Sequence, residues 1–161
     1  MGATSNDGRM HIGAGRGAEV FRPHGHIDVW REPPFVRLDA VGPFNVELLA
    51  RYAADMDAVY RAAAADGPYV SLVRVTHSIL MSPDALQALA ASVKKVHAAG
   101  YGSVGVAYIV AADVEGRDVM LPRFEKKVYT PASTPMMLFD DEAPARTWAL
   151  AHLTQARERA G

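Results

Sequence analysis

The sequence predicts an α/β fold: a mixed sheet of about five strands covered by about four helices. Three observations carry this reading. Runs of β-rich residues alternate with apolar stripes stepped by three and four. The first two strand signals are separated only by Pro33-Pro34, a pair that cannot donate to a ladder and so marks a turn. Val104 to Val110 is almost entirely apolar, as a central strand covered on both faces must be. Strand–helix alternation implies parallel pairs joined by right-handed crossovers, and the opening hairpin makes the sheet mixed. The length, 161 residues, suits one domain, expected over 26–161.

Residues 1–25 read as a flexible tail. Gly13 to Ala18 has no apolar period, and its glycines lack the flanking strand and helix of a phosphate loop. Strands are expected over Ile27–Glu32 and Phe35–Val41. In the second, Phe35, Arg37 and Asp39 alternate with Val36, Leu38 and Ala40, which predicts a sheet with one wet face. Asn45 is placed to cap a helix whose stripe is Val46, Leu49, Ala53, Met56, Tyr60 and Ala63, stopped at Asp66-Gly67-Pro68. Tyr69–Val75 is the next strand. Ser82-Pro83-Asp84 then supplies a cap, a proline at the first helical position and an acid in the first turn. Leu86, Leu89, Val93 and Val96 form that helix's stripe, and Gly100 closes it. Between Gly116 and Tyr129 a helix is interrupted or delayed by Pro122. Met136–Phe139 is a last strand, and Asp141–Arg159 contains the last helix.

Composition excludes several functions. Seventeen Lys+Arg against eighteen Asp+Glu give a net charge of −1, without the basic surplus of a nucleic-acid binder, so no nucleic-acid partner is expected. No run approaches the ~18 apolar residues that span a bilayer. Zero cysteines exclude disulfides, thiolate catalysis and cysteine-ligated metal, and fit a cytoplasmic chain. The N-terminal residues show no apolar signal-peptide core. There is no Gly-x-Ser-x-Gly elbow, no His-Glu-x-x-His and no Walker loop.

The segment Met137-Leu138-Phe139-Asp140-Asp141-Glu142-Ala143-Pro144-Ala145-Arg146-Thr147-Trp148 resembles the last strand–helix junction of the SpoIIAA-like branch of the STAS superfamily. Phe139, Ala145 and Trp148 keep that family's spacing, and the early hairpin, the glycine before the first helix and the Ser-Pro helix start agree with it. The resemblance spans residues 26–155. It implies a STAS-like domain, and for this branch a role in binding lipophilic ligands or membrane surfaces. Better-known members are anti-anti-sigma regulators switched by a phosphoserine. Here Pro83 and Asp84 stand where the family's paired serines would be, and Ser82, the nearest hydroxyl, is explained by capping.

Two sets of residues could carry function. Ile79, Leu80 and Met81 in a strand-to-helix loop, with Val119, Met120, Leu121 and Phe124 in the third helical segment, are apolar where polarity is usual. They are either core or the lining of an apolar ligand or partner surface. Thr76, His77, Ser78, Ser82 and Asp84 form a candidate regulatory loop after a strand end, where open α/β sheets bind ligands. His24 and His26 lack a visible third metal ligand, and His97 and His152 read as helix-terminal cations. Lys94-Lys95 and Lys126-Lys127 read as solvated faces, and Asp140-Asp141 as a cap. The expectation is a non-enzymatic module without cofactor or metal that binds a lipophilic small molecule or membrane surface. The alternatives are a regulatory domain with a protein partner, and an enzyme using His77 with Thr76 or Ser78. A homodimer is a further partnership considered.

Overall fold

A computed structural model of the chain describes residues 3–4, 8–14 and 22–160. The sheet has seven strands lying in sequence order: β1 (Ala3–Thr4), β2 (Met10–Ile12), β3 (His26–Glu32), β4 (Phe35–Val41), β5 (Val70–Thr76), β6 (Gly105–Val110) and β7 (Met136–Phe139). The pairs from β1 to β4 are antiparallel and those from β4 to β7 parallel. The helices are α1 (Val46–Ala65), α2 (Pro83–Ala98), α3 (Arg117–Phe124) and α4 (Glu142–Ala160), with a π-helical turn at Glu125–Tyr129.

The mixed α/β architecture read from the sequence is the one observed. The Asn45 side chain accepts from Leu48 N at 3.1 Å. The Ser82 hydroxyl accepts from Ala85 N at 3.3 Å. Both helices thus start at side chains that meet orphan amides. β6 is buried at every position. No helix of the described residues is long and apolar enough to cross a membrane.

Four details differ. Met10–Ile12, expected within the tail, pairs with β3 and buries Ile12 to 1% exposure. Three residues are too short a run to display a period, so the strand was invisible in the sequence. The tail expectation for residues 15–21 falls outside the described residues. In α1 the stripe runs through Leu48, Leu49, Tyr52, Met56, Tyr60 and Ala63, while Ala53 is exposed. The helical segment continues through Pro122 and then widens into the π turn.

The fourth difference is the face of β4 expected to be wet. Phe35 and Arg37 are each 5% exposed. Phe35 joins Val70, Leu72, Ala107 and Ile109 in a core layer against Ala145, Ala149 and Leu153 of α4. α1, α2 and α3 cover the opposite face of the sheet. Arg37 tolerates burial because its guanidinium pairs with Glu142 and with Glu32, the latter at 3.4 Å. Arg146 reaches the same two acids at 2.6 and 3.0 Å, and Arg74 reaches Glu142 at 3.0 Å.

Partial burial works to raise the Glu142 pKa, but hydrogen bonds from Arg146, Arg37 and Arg74 and the Arg37 charge prevail and hold it at about 2. A carboxyl held below its ordinary 4.5 stabilises the fold above that pH, and the contribution is lost as pH falls through about 2. The Glu142 side chain is 31% exposed, so solvent screens part of this interaction. Glu142→Gln should therefore cost about 2 kcal/mol near neutrality, less than the usual loss for a fully buried pair. It should also flatten the acid limb of stability. Urea denaturation across the acid range measures both, and an unchanged acid limb would refute this role.

Candidate functional site

Between the sheet and helices α1 and α2 lies an internal slit enclosing about 80 Å³. It is built from the side chains that β3 to β6 turn away from α4, including Ile27, Leu38, Ser71, Val73 and Tyr108. The facing helices add Leu49, Tyr52 and Tyr60 from α1 and Leu89, Val93 and Val96 from α2. Because β4, β5 and β6 are parallel, the lining sorts along their direction. At the carboxyl ends stand Ala40, Val75 and Ile79, with Phe44 and Met81. At the amino ends stand Tyr69, Gly102, Ser103 and Thr134, with His97 from the end of α2. Ser92, His97, Gly102 and Ser103 are half-exposed and form the mouth there.

Five of the six tyrosines line this slit: Tyr52, Tyr60, Tyr69, Tyr108 and Tyr129. Their hydroxyls are organised in pairs. Tyr52 and Tyr60 share a hydrogen bond of 2.5 Å, and Tyr108 and Tyr129 one of 2.6 Å. Tyr69 donates to the carbonyl of Tyr101 at 2.8 Å. The rings add contacts of their own, with Tyr60 stacked on Tyr69 and Tyr108 set edge-on to Tyr129. Tyr129 is delivered by the π turn, where Thr130 N donates to Glu125 O at 2.9 Å, one residue wider than an α-helical bond.

At the mouth, His97 Nε2 and Thr134 Oγ1 share a hydrogen bond of 2.7 Å. Burial lowers the His97 pKa, which keeps the imidazole neutral at ordinary pH. Gly102 leaves room for that ring, since a Cβ there would lie 2.6 Å from it. At the other end, Gly42 serves the same purpose for backbone: a Cβ would meet Ser78 O at 2.1 Å. That approach lets the loop after β5 pack over the slit, with Phe44 and Met81 bridged in parallel.

The residues expected to form one apolar rim separate into three groups. Ile79, Met81 and Phe124 line the slit. Met120 and Leu121 are buried in the surrounding core. Leu80 and Val119 are exposed, at 38% and 55%, with Leu80 lying over the Cα of Gly116 at the start of α3. The regulatory-loop set also divides. Thr76 and His77 are exposed. The backbone of His77 takes a positive φ of 70°, in the left-handed region. Ser78 is buried, donates to Glu115 at 2.8 Å and accepts from Leu80 N, so it is not paired with His77. Ser82 caps α2 and donates to Asp84. Asp84 is lowered in pKa by that hydroxyl and by backbone donors, against partial burial.

His24 is exposed, whereas His26 stacks near His11, which contacts Asp28 at 2.6 Å. No group of three metal-ligating side chains occurs among the described residues. A second depression, about 310 Å³, lies at the Pro33-Pro34 turn beside the Arg31–Asp66 ion pair. Its lining includes Arg31, Pro33, Asp66 and Arg157, all at the surface, and two of its charged groups, Arg31 and Asp66, are already paired with each other.

Fold and slit together define an α/β protein with a largely apolar slit between its sheet and two helices, lined by five tyrosines. No protein-family model matches the chain, and no curated protein matches it significantly.

Burial dominates in raising the pKa values of Tyr52, Tyr60, Tyr69, Tyr108 and Tyr129, and the hydrogen bond to Asp57 is the main cause for Tyr101. Phenols held above their ordinary 10.0 contribute stability that is complete below that pH and is lost as pH rises beyond it. An ultraviolet absorbance titration should therefore show tyrosinate appearing only with alkaline unfolding. A tyrosinate step in the folded protein near pH 10 would contradict the burial of these hydroxyls.

Proposed function

We propose that the protein is a non-enzymatic STAS/SpoIIAA-like binding module for a small apolar ligand, held in the slit between β3–β6 and helices α1 and α2. The single observation that carries this reading is the slit itself: a largely apolar space between sheet and helices, reached through a half-exposed mouth and lined by five tyrosines. Ile79, Met81 and Phe124, apolar residues singled out in the sequence, contribute to its walls. The SpoIIAA-like assignment rests on the junction Phe139, Ala145 and Trp148 and on the hairpin-led order of elements. We assign it to the cytoplasm on its cysteine-free composition.

The non-enzymatic reading is supported by the chemistry around the slit. Among the described residues its lining contains no carboxylate, lysine or arginine. His97 and Thr134 form a base–hydroxyl contact, but the described residues supply no third group bonded to the imidazole to orient it. His77 is exposed, and Ser78 beside it is buried and donates to Glu115 instead.

Xenon or heptane should shift the nuclear magnetic resonances of Tyr52, Tyr60, Leu89 and Tyr108. Ser92→Phe, which places a ring at the half-exposed mouth, should weaken the effect roughly tenfold while preserving the fold. Unchanged spectra with both probes would remove the ligand-binding reading.

A second reading, a regulatory interaction domain using Thr76–Asp84, is favoured by one observation: Leu80 and Val119 expose large apolar side chains near the same end of the sheet. Leu80→Asp with Val119→Asp should leave heptane binding intact under the first reading. Under the second, the pair should abolish capture of a protein partner or of lipid vesicles with little change in stability. Capture that survives the double substitution would count against that surface.

A further inference from the structure

The hydroxyl arrangement narrows the chemistry of the ligand, an inference that rests on the slit being a binding site. Four hydroxyls carry four protons. In each pair, Tyr52 with Tyr60 and Tyr108 with Tyr129, one proton is used in the shared hydrogen bond. The second hydroxyl of each pair still has a proton to donate. Among the described residues no further acceptor lies within hydrogen-bond reach of any of the four.

Donors and acceptors are not equivalent in this count. A buried donor left unmatched is rarer and more costly than a spare lone pair. Burial keeps these phenols protonated, so the donors persist at ordinary pH. Both pairs belong to the lining of the same slit.

Two more features limit the occupant. Among the described residues the walls offer no lysine or arginine to an anionic group, and burial disfavours the charged form of His97. A carboxylate or phosphate would thus be desolvated without a counter-charge, which is strongly unfavourable. The lining extends along β5 from Ser71 to Val75 and beyond it to Tyr69 and Ile79, yet it encloses only about 80 Å³. Its inner part is roughly half the volume of an engineered cavity that takes up benzene, so an aliphatic chain longer than a few carbons runs out through the half-exposed mouth at Ser92, Gly102 and Ser103.

We propose that the slit binds a slim, uncharged aliphatic molecule through a carbonyl-type oxygen, which accepts hydrogen bonds from the tyrosine pairs while the chain lies against the apolar walls. Ketones, aldehydes and neutral esters fit this description. Free fatty acids in their ionised form and flat polycyclic molecules do not.

The test compares methyl pentyl ketone, heptane and heptanoate, titrated into the full chain at neutral pH and followed by nuclear magnetic resonance. The ketone should bind roughly tenfold or more tighter than heptane, the expected scale for one or two neutral hydrogen bonds, and heptanoate should not bind. The double variants Tyr52→Phe/Tyr60→Phe and Tyr108→Phe/Tyr129→Phe keep the rings and remove the donors. At least one should bring ketone affinity down to that of heptane measured in the same variant. Equal binding of ketone and heptane would overturn this proposal but leave the apolar-cavity reading intact. Binding of heptanoate at least as tight as that of the ketone would also overturn it. Failure of both ketone and heptane to bind would overturn both readings. The comparison of the three probes in the unaltered chain decides the matter even if a double variant does not fold.

Discussion

The strands lie side by side in the order in which the chain makes them, and this ordering dictates what each face of the sheet can do. Each parallel crossover moves to the next position in the same direction, so a constant hand of connection places α1, α2 and α3 together on one face. Only α4, which follows the last strand, is free to cover the other. Three helices on one face give a thick layer in which long side chains meet. A single helix on the other leaves part of β3 and β4 to be covered by side chains. The two faces therefore carry different chemistry: paired phenols on one, and an arginine–glutamate network on the other.

That network explains why Arg37 sits in a layer otherwise composed of Phe35, Val70, Leu72, Ala107 and Ile109. Its charge is matched by Glu142 at the start of α4 and by Glu32 at the end of the neighbouring strand. Because Arg146 contacts both acids, the first turn of α4 is tied to the hairpin as well as packed on β6. Position and orientation of the helix thus depend on directional contacts as well as on apolar burial.

Local physics made most of the fold legible. The hairpin, the caps at Asn45 and Ser82, and the continuous apolar run of β6 are properties of neighbouring residues, and each was readable. What stayed hidden depends on distant partners. The alternation of Arg37 with Leu38 looks like that of a strand facing water, until Glu142, 105 residues later, supplies the missing charge. Met120, Leu121 and Phe124 turn inward while Val119 turns outward, a matter of helix phase that a cluster of apolar letters does not reveal. The slit was the least visible. Its tyrosines are scattered from Tyr52 to Tyr129, and each alone reads as an ordinary core aromatic. The hints were Ile79, Met81 and Phe124, apolar where polarity is usual, and Tyr60, which fell on the expected stripe of α1 despite carrying a polar tip. His97, read as a helix-terminal cation, stands instead at the mouth as a neutral ring bonded to Thr134.

The widened turn at Glu125–Tyr129 has a bearing on how this interior tolerates change in length. Its extra backbone residue lets Val128 and Tyr129 both face inward after Phe124. Losing one residue there would replace the i to i+5 bond by an ordinary i to i+4 bond and leave the chain beyond in nearly the same direction, because the wider turn is what absorbs the extra residue. What would be given up is one of the two neighbouring inward places now held by Val128 and Tyr129, and with the second of them the phenol that meets Tyr108. A backbone irregularity that looks like a local flaw is thus an indexing device, fixing which side chain arrives at the centre of the molecule.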